Sequence, residues 1–246
     1  MTYIPSNENR VYVGLEPEYG SIAQGAELRR IPAVRFRARQ RIEVRERKDK
    51  LGTRTFTGVP AGARRHTNFE LRTYLTSWTD KDKEPAYDAL FRAALGGTVQ
   101  RFNGGTIAGT SEQGIRLQFQ SAHGLSAGQA VCTGEEIRFV TTIPSSTTVD
   151  LNAPFTISPP AGATAAETVT YRPGAALPSV SVLDWWTPED SVQRMVAGAA
   201  VDDFRVEVNS DYHQFDFSGP GHSLLDSTTF QDGEGGATSF PGEPTD

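Results

Sequence analysis

Apolar and polar side chains alternate with a period of two along residues 34–48. Val34, Phe36, Ala38, Ile42 and Val44 take the even positions, interrupted by Gln40, while Arg35, Arg37, Arg39, Arg41, Glu43, Arg45 and Arg47 take the odd ones. Successive side chains of a strand point to opposite faces, so this pattern predicts a strand with one buried and one charged face. Its fifteen residues, at about 3.3 Å each, would span roughly 50 Å, well beyond an ordinary strand. Alternation returns over 67–79, where Phe69, Leu71, Thr73 and Leu75 oppose Asn68, Glu70, Arg72 and Tyr74. Together the segments predict a long antiparallel hairpin. Its connection, residues 49–66, is rich in Gly, Arg and Thr and longer than compact domains favour, which marks it as functional or mobile.

The period changes to that of a helix over 85–95. Tyr87, Leu90, Phe91, Ala94 and Leu95 form one apolar stripe. Pro85 suits the first helical turn, Asp82, Glu84 and Asp88 suit the positive N-terminal end, and Gly96-Gly97 is a stop signal. Residues 104–176 break into short strand-like pieces separated by Gly/Pro/Ser turns, which predicts an inserted small β module. Longer strands resume at PSVSVLDWW, and the stretch VDDFRVEVNSDYHQFDFSG reads as a hairpin turning at Asn209-Ser210-Asp211. Residues 1–33 show little periodicity and read as an arm with at most one short strand. Residues 231–246 are rich in Gly, Pro and acid and read as a flexible acidic tail.

Composition refines this picture. In 246 residues there are 24 Gly and 15 Pro, an excess that favours many turns over long helices. No run of about 18 apolar residues occurs, so no membrane-spanning helix is expected, and MTYIPSNENR lacks the apolar core of a signal peptide. Cys132 is the single cysteine, so no internal disulfide can form, in keeping with folding in a cytoplasm. The net charge of −6 conceals two poles. Residues 29–72 hold 14 Lys/Arg against 4 Asp/Glu, and residues 173–246 hold 2 against 13. A chain with such poles can be self-complementary, within a subunit or between copies.

Catalytic chemistry has little support. His66, His123, His213 and His222 share no metal-ligand spacing, and no cofactor motif is present. The Gly-x-Gly of GPGHSLLD follows an alternating strand and precedes no credible helix, so it is a weak phosphate loop. Trp185 and Trp186 could suggest a sugar platform, but neighbours on a strand face opposite ways. The arginine ladder is the most unusual feature. It lacks the interleaved aromatics of single-strand binders, and its like charges call for an acidic partner. The acidic strands at 201–218 are the obvious candidates, from this subunit or another.

Several pieces occur together in the order seen in tail tube proteins of long-tailed bacteriophages. GLEPEYGSIA (14–23), the long strand 34–48, GTRTFTG (52–58), NFELRTYL (68–75) and DALFRAALGG (88–97) are followed by PSVSVLDWW, RMVAGAAVDDFRVEVN (194–209) and FDFSGPG (215–221). The chain resembles that family over most of its length. The resemblance implies a mainly β, tail-tube-type β-sandwich or half-barrel with one flanking helix. The core would comprise 1–103 and 177–230, with the module at 104–176 on the tube exterior. Six subunits would join their sheets into a ring, and rings would stack into a hollow tube through which DNA passes without specific binding. Leu51, Gly52, Thr53, Arg54, Phe56 and Arg64 would belong to the ring-to-ring loop 49–66. Asp203, Glu207 and Asp216 are the candidates for an acidic lumen that repels phosphates. Arg35, Arg37, Arg39, Arg41 and Arg45 would form a charge ladder between subunits, or would reach the lumen if strand 34–48 lines it. The implied partners are further copies, the tape measure, terminator and distal tail proteins, and a sheath if the tail contracts. No enzyme activity, cofactor, metal or membrane is expected, and the place of action would be the virion tail after assembly in the host cytoplasm. The alternatives are a terminator or distal-tail ring of the same fold, and a carbohydrate-binding β module using Trp185 or Trp186.

Overall fold

The computed structural model describes residues 8–43, 64–76, 78, 84–186, 193–208 and 212–244. The protein is mainly β. It opens with β1 (Asn9–Leu15), β2 (Arg29–Ile31), β3 (Ala33–Glu43) and β4 (Arg64–Tyr74), followed by α1 (Asp88–Leu95). Eight strands come next: β5 (Gly96–Phe102), β6 (Gly105–Ser111), β7 (Arg116–Phe119), β8 (Ala130–Thr133), β9 (Glu136–Ser145), β10 (Thr148–Leu151), β11 (Thr164–Ala165) and β12 (Thr168–Pro173). The chain ends with β13 (Val180–Trp186), β14 (Arg194–Ala199), β15 (Asp203–Val208), β16 (His213–Gly221) and β17 (Ser223–Asp226). No described helix is long and apolar enough to cross a membrane.

Two compact units result. The first holds residues 1–79, 85–96 and 176–246, and the second holds 97–175 with the short stretch 80–84. In the first unit, a five-stranded sheet of order β17-β14-β13-β1-β2 faces a four-stranded sheet of order β15-β16-β4-β3. Val11, Val13, Val180, Val182 and Val196 of the one sheet pack with Phe69, Leu71, Phe215 and Phe217 of the other, and α1 adds Leu90 and Ala93. The helix is locked in place through Tyr87. Its hydroxyl donates to the Tyr74 carbonyl at 2.6 Å, and its ring meets Phe215 edge-on at 5.5 Å. Gly96 ends the helix with φ of 70°, a left-handed conformation that glycine adopts without steric cost.

The segment expected as an arm supplies β1, which pairs with β13 on one side and β2 on the other. It lies inside its sheet and is covered on both faces, so it reads as a short apolar run rather than an alternating one. The C-terminal segment also departs from expectation. Ala237 is buried, and Phe230 and Phe240 pack with Tyr12, Leu183, Met195 and Leu225 on the five-stranded sheet's outer side. Glu243 accepts hydrogen bonds from Arg10 at 2.9 Å and Tyr12 at 2.8 Å. Through residue 244 this is a strap over an apolar face, not a free tail.

The second unit begins at residue 97, a little before the expected 104. Its sheet, of order β11-β6-β7-β10-β9-β8, curls until its ends meet at a bridge between Cys132 and Ala166. Ile107, Leu117, Phe119, Val131, Val140 and Val149 fill this small, nearly closed barrel.

Candidate functional site: the charged sheet and its edges

The four-stranded sheet carries the charges singled out in the sequence. Thr67, Phe69, Leu71 and Thr73 of β4 are buried, while His66, Asn68 and Glu70 are exposed and Arg72 is half-buried. The odd-numbered arginines of β3 pair with that exposed set: Arg35 opposite Arg72, Arg37 opposite Glu70, Arg39 opposite Asn68 and Arg41 opposite His66. On the far side of β4, Asp216 lies opposite Arg72 and Ser218 opposite Glu70. Beyond these, Arg205 lies opposite Asp216, Asp203 opposite Ser218 and Glu207 opposite Gln214. Arginine ladder and acidic hairpin therefore share one face of one sheet, separated by β4. Gln40, the interruption in the apolar series, points to the other face and donates to the Thr67 hydroxyl at 3.0 Å.

Arg72 is the centre of this face. Its guanidinium donates to both carboxylate oxygens of Asp216, at 2.6 and 2.8 Å, and Glu207 lies 3.8 Å away. The hydrogen bond to Asp216, then the charges of Asp216 and Glu207, raise the Arg72 pKa against the opposing effect of burial. Arg35 reaches Glu70 only at 3.6 Å, Arg41 meets Glu43 at 3.7 Å, and Arg205 pairs with Asp203 at 2.7 Å. Such exposed pairs hold weakly. A shallow depression of about 490 Å³ opens here, lined by Arg35, Glu70, Arg72, Asp203, Arg205 and Asp216. Its open, charged walls do not resemble an enclosed apolar ligand site.

The structure thus brings the three expected acids, Asp203, Glu207 and Asp216, onto one face but intermixes them with Arg72 and Arg205. A uniformly acidic surface is not what they form. The cation that pairs with Asp216 is Arg72 of the second alternating strand, where a single arginine among Asn68, Glu70 and Tyr74 gives no charge pattern of its own. Of the ladder, Arg35, Arg37, Arg39 and Arg41 lie on β3, and Arg45 lies outside the described residues. Of the loop candidates, Leu51, Gly52, Thr53, Arg54 and Phe56 lie outside them as well, while Arg64 begins β4 and so belongs to a strand.

Both edges of this sheet are free of strand partners among the described residues, because β3 and β15 each pair with one neighbour only. Near the edges the apolar layer remains uncovered. Val206 and Val208 are 54% and 70% exposed on β15, and Val34 and Ile42 are 43% and 54% exposed on β3.

The other sequence candidates have structural roles. Gly219 and Gly221 lie where β16 leaves one sheet and the chain enters β17 of the other; a Cβ on Gly219 would collide with the Ala200 carbonyl. His222 packs edge-on against Tyr19 at 5.7 Å. Trp185 joins the apolar cluster beneath the C-terminal strap.

The sequence reading missed Glu16. Its buried carboxylate accepts hydrogen bonds from Ser179 at 2.6 Å, Ser181 at 2.7 Å, the Gly20 amide at 2.9 Å and the Gly198 amide at 2.7 Å. The GLEPEYG segment is thereby fastened across β13 and β14. A lone Glu in a turn gives no periodic signal to reveal this.

No protein-family model matches the chain, and no curated protein matches it.

Proposed function

We propose that the protein is a structural subunit of a bacteriophage tail tube, forming hexameric rings that stack into a hollow tube for DNA passage. The observation that carries this reading is the four-stranded sheet, with alternating strand directions, one charged face and two unpaired edges. Strands β15 and β3 run in opposite directions because an even number of antiparallel strands separates one edge from the other. Rotating a copy about a ring axis therefore sets its β15 antiparallel to the first copy's β3. The contact is heterologous and closes into a ring.

Six copies of four strands give 24. With strands about 4.8 Å apart and tilted about 40°, such a barrel is roughly 48 Å across at the backbone. That leaves a channel wide enough for a duplex after side chains are added. Closure also removes the free edges that otherwise invite uncontrolled aggregation. The charged face would line the channel. Its charge is mixed: Asp216 is paired with Arg72, and the arginine row of β3 is flanked by Glu70 on one side and, across a joined edge, by the acids of β15 on the other, so phosphates meet stripes of alternating sign rather than a uniformly cationic wall. The virion tail is the place of action this reading assigns.

Electron microscopy of the concentrated protein tests the proposal. Hollow rods, or rings of about 160 kDa from six copies of 26.7 kDa, are expected. Single rings that never stack would favour a terminator or distal-tail component. A protein that stays monomeric, also with a tail initiator present, would contradict the reading.

A further inference from the structure

Resting on the proposal that sheets join edge to edge, we infer that β3 and β15 carry a charge code that admits the opposite edge of a second copy and rejects its like edge. The cationic half of the code is Arg37 and Arg39, neither of which makes an ion pair within 4 Å among the described residues, although Arg37 stands opposite Glu70; the anionic half is Asp203 and Glu207.

The asymmetry is visible in each strand. Along β3, Arg35, Arg37, Arg39 and Arg41 follow one another on one face, about 7 Å apart. Like charges at such spacing repel, and among the described residues the ladder's relief is the long contacts from Arg35 and Arg41 and the carboxylate of Glu70 on the neighbouring strand opposite Arg37. Along β15, the same face shows Asp203 and Glu207 around a single Arg205, which already leans on Asp203. The undersides match too. Val206 and Val208 overhang one edge and Ile42 the other, so joining the edges continues both the apolar and the charged layer.

Three pairings of free edges are open to a strand of this length. Two copies of β3 would set arginine against arginine, and two copies of β15 centred on Arg205 would set Asp203 against Glu207 and Arg205 against itself. Both are two-fold contacts that end in a dimer. Only β3 against β15 joins edges of opposite net charge, four arginines and one glutamate against two acids and one arginine. The charges therefore choose the ring over the dimer, by penalising the isologous contacts as much as by rewarding the heterologous one. The two poles of the chain acquire a geometric purpose: each dominates one edge of one sheet.

The test uses two full-length variants, Arg37→Glu with Arg39→Glu, and Asp203→Arg with Glu207→Arg. Each alone should assemble on the order of tenfold more slowly or worse than wild type, as read by sedimentation and electron microscopy. Mixed in equal amounts, they should form rings of alternating composition, since each then offers the other an oppositely charged edge. If wild type assembles and either variant alone does so at the wild-type rate, the code is wrong while edge joining stands. If both variants fail and mixing rescues nothing, the code is equally overturned. If wild type never assembles, edge joining itself falls. Should charge reversal prevent folding, as judged by circular dichroism, Arg37→Gln with Arg39→Gln replaces it; slowed assembly is then expected, and an unchanged rate overturns the inference.

Discussion

Arg72 and Asp216 stand directly opposite each other on adjacent strands and are joined by two parallel hydrogen bonds of 2.6 and 2.8 Å. The pair is half-buried at the middle of the charged sheet, with side-chain exposures of 34% and 26%. Bidentate geometry makes it the strongest contact on that face, though solvent still screens it. A double-mutant cycle with Arg72→Ala and Asp216→Ala should give a coupling of about 1 kcal/mol. Urea unfolding measures it, and a coupling near zero would show that the pair organises nothing.

Glu16 holds together the loop after β1 and the strands β13 and β14. Replacing it with Ala strands four donors in a buried site, at a cost of about 3 kcal/mol. Glu16→Gln keeps acceptor capacity at one oxygen and should cost less. Urea midpoints of the two variants give the order, and equal costs would contradict the role of the carboxylate.

Truncation after Thr229 distinguishes a strap from a free tail. Removal of Phe230, Ala237, Phe240 and Glu243 uncovers Tyr12, Leu183 and Met195. A loss of about 3 kcal/mol is expected from the apolar contacts alone. Thermal melts of the truncated protein that match the full chain would sink this assignment.

The barrel of residues 97–175 should have its own acid sensitivity. Hydrogen bonds from Arg116 and Thr142 hold the Asp150 carboxyl below its ordinary range. A carboxyl with a lowered folded pKa stabilises above its unfolded value, about 3.9, and that contribution fades as pH falls through the folded value. Urea midpoints measured from pH 6 downward should therefore fall less for Asp150→Asn than for wild type below about pH 4. Parallel curves would mean that Asp150 gives no acid-dependent support.

The odd–even alternation of 34–48 made the charged face of β3 legible, because each arginine is followed by a residue that points to the other side. The helix was equally readable from its stripe and its glycine stop, although its first turn begins at Asp88, three residues later than Pro85 suggested. Strand β1 was legible only as a short strand in an arm, not as an inner strand of a sheet. Buried among VYV on both faces, it has no alternation, and the turn-rich GLEPEYG beside it looks like loop. The strap failed for a different reason. Few residues anchor it, and an abundance of Gly and Pro conceals Phe230, Phe240 and Glu243. For the candidate site, alternation told which residues share a face of one strand but not which strands are neighbours. The opposed poles of the sequence suggested that arginines meet carboxylates. The intervening β4 supplies Arg72 to Asp216 and leaves Arg37 and Arg39 at the open edge.

Cross-linking reports whether the sheets of neighbouring copies join β3 to β15. One cysteine at Ala38 and one at Val206, in a Cys132→Ser background, are linked by a short bismaleimide under assembling conditions. Joining of β3 to β15 should give a ladder of covalent species that ends at six copies, with neither single-cysteine protein forming a ladder. A ladder that stops at two copies, or double-cysteine protein that stays monomeric while assembled, would contradict it.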